Sequence, residues 1–429
     1  MDQSYGLRRA VKIKNMKKLY AVILVALSVI VLSWFLPWLY SIAFPVGGSD
    51  PFIAYSPVSH KFVVSETDES KNIVIYSLDE NGQREAETFT KEQRDSLLPQ
   101  IYFTQLMARE QMPDSIDGIE LSVSALKHNQ WVFSSIPRDI NKVMPKVYMI
   151  MESMPARIDL EDPKEVFRFR NGGEVEFIDM ETAEVVPGKS RRFTEIFKDR
   201  GFKLPVVSSS ANITSRKPYD EGYLMVDAAG EIYHLKMQAG RPYMMKLRKP
   251  DSICGKHVFI MENVETRHLG LMTDTHNNLY VIEREGYRIV PLNVGKVDPT
   301  TDKIAVVKNL FNWVVKITNN EGVRWTALDS DDYSRLAGYS LTYGENKSEK
   351  IAGFIFPFTM SFTDVSDCYA FPRIENVSFA AIILNIILAL VTVVVLRRRK
   401  SSTCAMVSAA IATLVFGIYS FIPFLVLKN

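Results

Sequence analysis

Three uncharged apolar runs, at residues 19–44, 377–396 and 404–427, constrain this chain more than any other feature. Each is about as long as the roughly 20 helical residues that cross a hydrocarbon core of about 30 Å. Trp34, Trp38 and Tyr40 gather near the far end of the first run, where amphipathic rings sit at a membrane–water interface. A cleaved signal peptide is the competing reading, with a basic start and small residues at Ser41 and Ala43. Signal peptides carry apolar stretches of roughly 7–15 residues, so the longer run favours an uncleaved anchor. The second and third runs are separated only by RRRKSST at 397–403, which predicts an antiparallel transmembrane hairpin. Asn385, inside the second run, is a candidate for a helix–helix contact, because an intramembrane amide seeks a partner across helices.

Charge sets the orientation. Six cations lie within residues 1–18, among them Arg8, Arg9, Lys17 and Lys18, and four more form Arg397, Arg398, Arg399 and Lys400. Lys and Arg accumulate on the cytoplasmic side of spanning helices. Both clusters act as topology anchors, and the sequence predicts a cytoplasmic N-terminus at 1–18, a first transmembrane helix at 19–44 and an extracytoplasmic domain at 45–376. Transmembrane helices at 377–396 and 404–427 would follow, joined by a cytoplasmic loop at 397–403, with the C-terminus outside. The formal net charge of +2 hides an asymmetry, since the body between the runs holds 40 of the 51 cations and 48 of the 49 acids. An acidic body argues against nucleic acid, which requires a basic patch on the folded domain.

That body reads as mainly β. Alternating apolar segments are interrupted by polar turns around Asp79, Lys127, Asp179, Asp227, Asp274 and Asn319. Turn residues that tolerate positive φ, flanked by alternating strands, are the signature of hairpins. The recurrence at 45–52 residues is close to the 40–50 residues of a four-stranded blade. The fold expected is a β-propeller of six to seven blades, and a general all-β domain is the alternative. Residues 90–113 break the pattern with helical spacing. Thr90 is a candidate cap, Pro99 a divider and Pro113 a stop.

Motifs for catalysis, metal or cofactor binding do not emerge. There is no H-E-x-x-H, P-loop or G-x-S-x-G, so no cofactor, metal or catalytic residue is assigned. His128 and His276 fall in predicted turns. The acidic run DSDDY, Asp329 to Tyr333, lacks the Gly and Glu spacing of a calcium loop. Cys254, Cys368 and Cys404 do not form a disulfide framework; two free buried thiols are the reading for Cys254 and Cys368, and a pairing between them outside the cytoplasm is the alternative.

In its layout, with KKLYAVILVALSVIVLSWFLPWLY at the start, DSLLPQIYFTQLMAREQMPDSI in the body and a closing pair of apolar runs, the chain resembles an uncharacterised family of Bacteroidetes membrane-anchored proteins with a periplasmic domain. The resemblance implies a bacterial inner-membrane, multi-pass protein associated with an ABC-type transport system. The expectation is therefore a non-enzymatic extracytoplasmic sensing or binding protein. Its partners would be the lipid bilayer and a membrane transport complex to which it is an accessory subunit. A membrane-anchored propeller hydrolase or lyase is the alternative, because a propeller hosts enzymes and binders alike.

Overall fold

The computed structural model describes residues 2–44, 51–68, 70–143, 145–154, 159–217, 219–343, 347–363 and 369–426. The chain forms two compact units, a helical one from residues 1–49 and 344–429 and a β unit from residues 50–343.

The helical unit opens with α1 (Asp2–Ala43). Its stretch Val22–Ala43 is 22 residues of high hydropathy, roughly 33 Å of helix. Arg8, Arg9, Lys17 and Lys18 fall on α1 at positions whose side chains lie outside the described residues.

The β unit begins with a sheet of four strands in chain order, β1 (Phe52–Tyr55), β2 (Phe62–Thr67), β3 (Ile73–Leu78) and β4 (Arg84–Thr88). Helices α2 (Lys91–Leu97) and α3 (Pro99–Ala108) follow. Thr90 closes a capping box with Gln93, and Pro99 occupies the first turn of α3, where its missing N–H costs nothing. A short ladder of β5 (Ser115–Ile116) and β6 (Ile119–Glu120) leads to α4 (Val123–His128), β7 (Trp131–Ser135) and α5 (Pro137–Asn141). The second sheet holds β8 (Tyr148–Met149), β9 (Glu165–Phe169) and β10 (Val175–Asp179), after which α6 (Pro187–Asp199) takes the place of a fourth strand. The third is β11 (Ser208–Ser210), β12 (Tyr223–Val226), β13 (Ile232–Gln238) and β14 (Arg241–Lys246). The fourth is β15 (Gly255–Ile260), β16 (His268–Asp274), β17 (Leu279–Glu283) and β18 (Ile289–Leu292). The fifth comprises β19 (Lys303–Lys308), β20 (Asn312–Thr318), β21 (Gly322–Asp329) and β22 (Arg335–Thr342), with β7 added beside β19.

All these pairings are antiparallel, and the β unit is mainly β. Asp227, Asp274 and Asn319 open the same turn, between second and third strands, in the third, fourth and fifth sheets. Each side chain accepts backbone N–H bonds across its turn, Asp227 from Ala229 and Glu231 at 2.8 and 2.9 Å and Asn319 from Glu321 and Gly322 at 3.0 and 3.1 Å.

The expectation of six to seven blades is corrected to five such sheets among the described residues. The unit around Lys127 is not a hairpin. Ser122 accepts the Ala125 N–H at 3.0 Å and starts α4, and the strand that follows joins the fifth sheet.

Four pairs of sheets pack face to face, each over its own apolar core. Phe167 and Phe177 meet Tyr223 and Tyr233 between the second and third sheets. Leu224 and Ile232 meet Val258 and Met272 between the third and fourth. Leu271 and Val281 meet Trp313 and Val315 between the fourth and fifth. Tyr55 and Val64 meet Trp325 and Ala327 between the first and fifth. Leu98, Ile101 and Tyr102 of the helical segment cover Ala54, Val63 and Ile75 of the first sheet.

The chain then returns to the helical unit with α7 (Lys347–Ile355), a small hairpin of β23 (Thr359–Ser361) and β24 (Arg373–Glu375), and α8 (Ala381–Arg398). Among the described residues, α1 and α8 are the two helices long and apolar enough to cross a membrane by length and composition. The third expected span, 404–427, is corrected. It divides into α9 (Thr403–Phe416) and α10 (Ile418–Val426). Gly417 between them has φ 55° and ψ −132°, a conformation open essentially to glycine alone. The 14 residues of α9 extend roughly 21 Å, short of a hydrocarbon core of about 30 Å.

The direction of α10 follows from one side chain. Arg399, four residues before α9 begins, donates to Phe424 O at 3.0 Å and Leu425 O at 2.6 Å. It could not reach them if α10 continued away along the axis of α9. The chain reverses at Gly417, α10 runs back toward the Arg397–Lys400 turn, and Ser420 Oγ donates to Ala412 O at 3.0 Å across the reversal.

Candidate functional site

One end of the sheets of the β unit gathers two networks of buried ion pairs. Lys217 with residues 219–222, the β15–β16 loop, the ends of β17 and β19 and the β21–β22 loop bring charged side chains there. In β16 and β17 the strand ends carry His268 and Glu283, and both are buried.

One cluster centres on Glu265. Its Oε2 receives Trp131 Nε1 at 3.0 Å and lies 3.0 Å from Lys308 Nζ, while its Oε1 is 3.4 Å from His268 Nδ1. His268 Nε2 is 3.0 Å from the Tyr333 hydroxyl, which donates to Glu283 Oε1 at 2.7 Å. Arg288 Nε lies 2.6 Å from Glu283, and Arg267 spans from Glu283 at 3.4 Å to Asp331 at 3.2 Å. Burial would raise both carboxyls. The bonds from His268 and Lys308 outweigh it at Glu265, and those from Arg288 and Tyr333 at Glu283, so each is held down at about 2. Burial pushes Lys308 down from its ordinary value, with Glu265 opposing it. Burial, with the bond to Glu283, raises Tyr333, which stays a phenol.

A second cluster lies between the third and fourth sheets. Glu221 pairs with Lys236 at 2.5 Å and with Arg284. His234 Nε2 is 2.6 Å from Glu221 O, and its Nδ1 is 2.9 Å from the Tyr287 hydroxyl. Burial drives His234 down to about 4, so Nε2–H donates to the carbonyl and Nδ1 accepts from the phenol. Lys217 bridges Asp220 at 2.6 Å and Glu262 at 2.7 Å, and Glu262 also accepts the Glu221 N–H at 2.7 Å.

These side chains are committed to one another. A Glu–His–Tyr–Glu line can hold protons and fix loops, but it presents no free nucleophile at its end. Among the described residues no group of three or more His, Cys, Asp or Glu is arranged to hold a metal ion. A cleft of about 420 Å³ in this unit lies elsewhere, beside Pro57, Ser96, Pro113 and Asp117.

The residues singled out from sequence occupy other places. Asn385 is buried, and its amide donates to Leu414 O of α9 at 3.1 Å. Arg397 and Arg398 end α8, Lys400 stands in the turn after it with φ 57°, and Arg399 caps the returning α10. His128 ends α4, and Asp329 accepts the Asp331 N–H at 2.7 Å as a turn anchor. Cys254 is a free thiol, and Cys368 lies outside the described residues. The buried clusters had no signal in local spacing, because Trp131 and Glu265 are 134 residues apart. Their trace in the sequence is the crowding of charge at strand ends, as in ETRH at 265–268 and EREGYR at 283–288.

No curated protein matches this chain. Among solved structures, the β-propeller domain of Cps50 (Swd1) from Myceliophteria thermophila is 14% identical with a TM-score of 0.26, over 52% of this chain and 61% of that one. PorZ, a surface component of the type-IX secretion system of Porphyromonas gingivalis, is 12% identical with a TM-score of 0.20, over 68% of this chain and 27% of that one. The WD40 domain of SCAP from fission yeast is 12% identical with a TM-score of 0.27, over 74% and 78%. Scores this low are no argument about overall fold or activity. The family match is of another kind, because it spans residues 52–328, most of the β unit and more than half of the chain, and by it the chain belongs to the family described as a domain of unknown function, DUF4857.

Proposed function

We propose that this chain is a non-enzymatic, membrane-anchored binding protein. Its β unit is a five-bladed propeller carried on the extracytoplasmic side of a bacterial inner membrane, and its helical unit serves as the anchor. An arc of meander sheets stacked face to face is how propeller blades pack. The observation that carries the membrane reading is the inverted polarity of the helical unit. Ile383, Ile387 and Leu390 of α8 face outward, while Asn385 and Thr392 of the same helix are buried. A helix in water would present the opposite faces.

In this reading α1 and α8 cross the bilayer, and α9 with α10 forms a re-entrant hairpin. The N-terminus, the Arg397–Lys400 turn and the end of α10 share the cytoplasmic side. The binding role is supported by the mutual pairing of the buried acids and bases, which act as ties between sheets. Association with an ABC-type transport complex, as an accessory subunit, comes from the family resemblance. The helical unit suits docking better than conduction, since spanning ion paths are lined by ionisable groups, and α8 offers an amide and a hydroxyl.

Capture of the full chain from its native membrane in mild detergent, with mass spectrometry of what accompanies it, tests the partner. Transport subunits should co-purify in fixed ratio, and their absence after cross-linking in intact membranes would end the accessory-subunit reading. A reporter fused after Lys400 tests the orientation, and activity outside the cytoplasm would reverse it.

A further inference from the structure

The stretch from α7 to the start of α8 has a surface unlike either unit's interior. Phe379 is 81% exposed, Val377 65% and Ile374 64%, and Ile351, Phe354 and Phe371 are exposed as well. Charged residues are interleaved with them. Lys347 and Glu349 share α7 with Ile351 and Phe354, and the Arg373 guanidinium lies 4.0 Å over the Phe371 ring.

The height of this stretch can be read against α1. Phe362, just after β23, meets the Trp34 ring edge-on at 6.3 Å, and Trp34 stacks with Trp38 at 6.4 Å. Trp34 lies nine residues before the end of α1 at Ala43, roughly 13 Å along the axis. The hairpin therefore stands beside the last turns of α1, at the level of its tryptophans. Tyr40 OH donates to Ser348 O at 3.0 Å and ties α7 to the same end. A cleft of about 420 Å³ between them is lined by apolar Pro37, Phe44 and Phe356 and by polar Ser348, Glu349 and Asn376.

We propose that α7, strands β23 and β24 and residues 376–379 form a bracket seated in the headgroup–acyl boundary of the outer leaflet, so that its partner is the lipid surface. The proposal rests on the membrane-anchored reading above. Continuity decides for lipid over a protein partner or a second copy. Val377 and Phe379 lead straight into Ile382, Ile383 and Ile386, the outward apolar face of α8, and one unbroken band has one solvent. The mixture of rings, aliphatic groups and charges is what that boundary accommodates. The bracket fixes α1 and α8 at one depth.

The test uses the full chain in phosphatidylethanolamine–phosphatidylglycerol vesicles, with Cys254, Cys368 and Cys404 replaced by Ser and single spin labels introduced by Leu27→Cys, Ile374→Cys, Phe379→Cys or, on the exposed face of β7, Val132→Cys. Accessibility to oxygen relative to a water-soluble nickel chelate reports depth. At Ile374 and Phe379 the ratio should be several-fold above that at Val132 and below that at Leu27. Values equal to Val132, with Leu27 still oxygen-rich, would place the bracket in water and overturn it. Low access to both reagents would mean a protein covers it, which also overturns it. A water-like value at Leu27 itself would remove the membrane reading instead. A second measurement needs no substitution. Lipids brominated near the headgroup should quench the Trp34 and Trp38 fluorescence more than lipids brominated at the chain end, and the reverse order counts against the bracket.

Discussion

The two units bury opposite things. In the β unit, Trp313, Leu271 and Phe177 fill the junctions between sheets, and the buried charges find partners, as Lys308 does in Glu265 and Asp227 in the backbone N–H groups of its turn. In the helical unit, Ile383, Ile387 and Leu390 look outward, while Asn385, Thr392, Thr413 and Ser420 are buried among the helices. Thr392 and Thr413 face each other across α8 and α9 at 3.3 Å. The same rule produces both arrangements, because a polar group must find a partner wherever water is absent. Water is absent inside the β unit and, on the reading proposed, outside the helical one.

The comparison breaks first at Glu265 if the β unit's charges are not true pairs. Lys308 is buried against Glu265, and Trp131 donates to the same oxygen. Glu265→Ala strands a buried ammonium, and the expected loss is about 3–5 kcal/mol. Urea unfolding of the full chain in detergent, followed by tryptophan fluorescence, measures it. Glu265→Leu combined with Lys308→Met should recover most of the loss, because the lone charge is gone. Equal losses in the single and double variants would mean that packing, rather than pairing, matters there.

A matched pair of sites sharpens the contrast. Val132 on β7 and Leu390 on α8 are each 65% exposed. In water an exposed apolar residue exchanges for Arg within about 0.5 kcal/mol, and that is the result expected for Val132→Arg. At the centre of a spanning helix Arg costs about 2.5–3.5 kcal/mol. Leu390→Arg should therefore lower the membrane-inserted fraction of the chain, measured by carbonate extraction, while Val132→Arg leaves it unchanged. If the two substitutions behave alike, α8 does not face lipid.

How much of this was legible in the sequence differs between the units for a physical reason. The apolar runs of α1 and α8 are contiguous, and the turns at Asp227, Asp274 and Asn319 carry their own hydrogen-bonding side chains, so local sequence specifies them. LSVSALKH at 121–128 fits both an alternating strand and a short helix, and the cap from Ser122 decides for the helix. The break in the third apolar run has no local signal, because a glycine in an apolar helix says little by itself. Its meaning comes from Asn385, 32 positions earlier, which occupies the space a side chain at 417 would need. One buried cluster joins Trp131, Glu265 with His268, Lys308 and Tyr333 from four separate stretches, and long-range pairing of that kind leaves no period to read.

Acid distinguishes the units next, since titrating buried groups were found in the β unit. His234 is held at about 4 against an ordinary 6.5. Its folded pKa is depressed, so the neutral form contributes stability that is complete above pH 6.5 and is lost as pH falls towards 4. A drop of 2.5 pH units through that window corresponds to about 3 kcal/mol. Glu265 and Glu283, at about 2 against an ordinary 4.5, add a second loss below pH 4.5. Urea midpoints between pH 7 and 3 should fall in these two stages. His234→Gln should flatten the upper stage and leave the lower one, and an unchanged upper stage would assign it to another group.

The smallest effect tests whether the helical unit's inward polar groups depend on the reversal at Gly417. A Cβ there would come within 2.2 Å of Asn385 Oδ1, in a backbone of φ 55°. The Asn385 amide can swing aside, but then it gives up Leu414 O, and the positive φ still disfavours any side chain. Gly417→Ala should cost about 2 kcal/mol, seen as a lower melting temperature of the full chain in detergent. It should also loosen α10 from Arg399, so that a protease tag placed after Val426 is cut faster while the β unit's tryptophan signal holds. Asn385→Ala frees the space at Gly417 but leaves Leu414 O unpaired, and it should cost about 1 kcal/mol. If the latch is real, the double variant Asn385→Ala with Gly417→Ala should fall short of the sum of the two. Strict additivity would mean that the amide and the break are independent, and that only the glycine's backbone turns the chain.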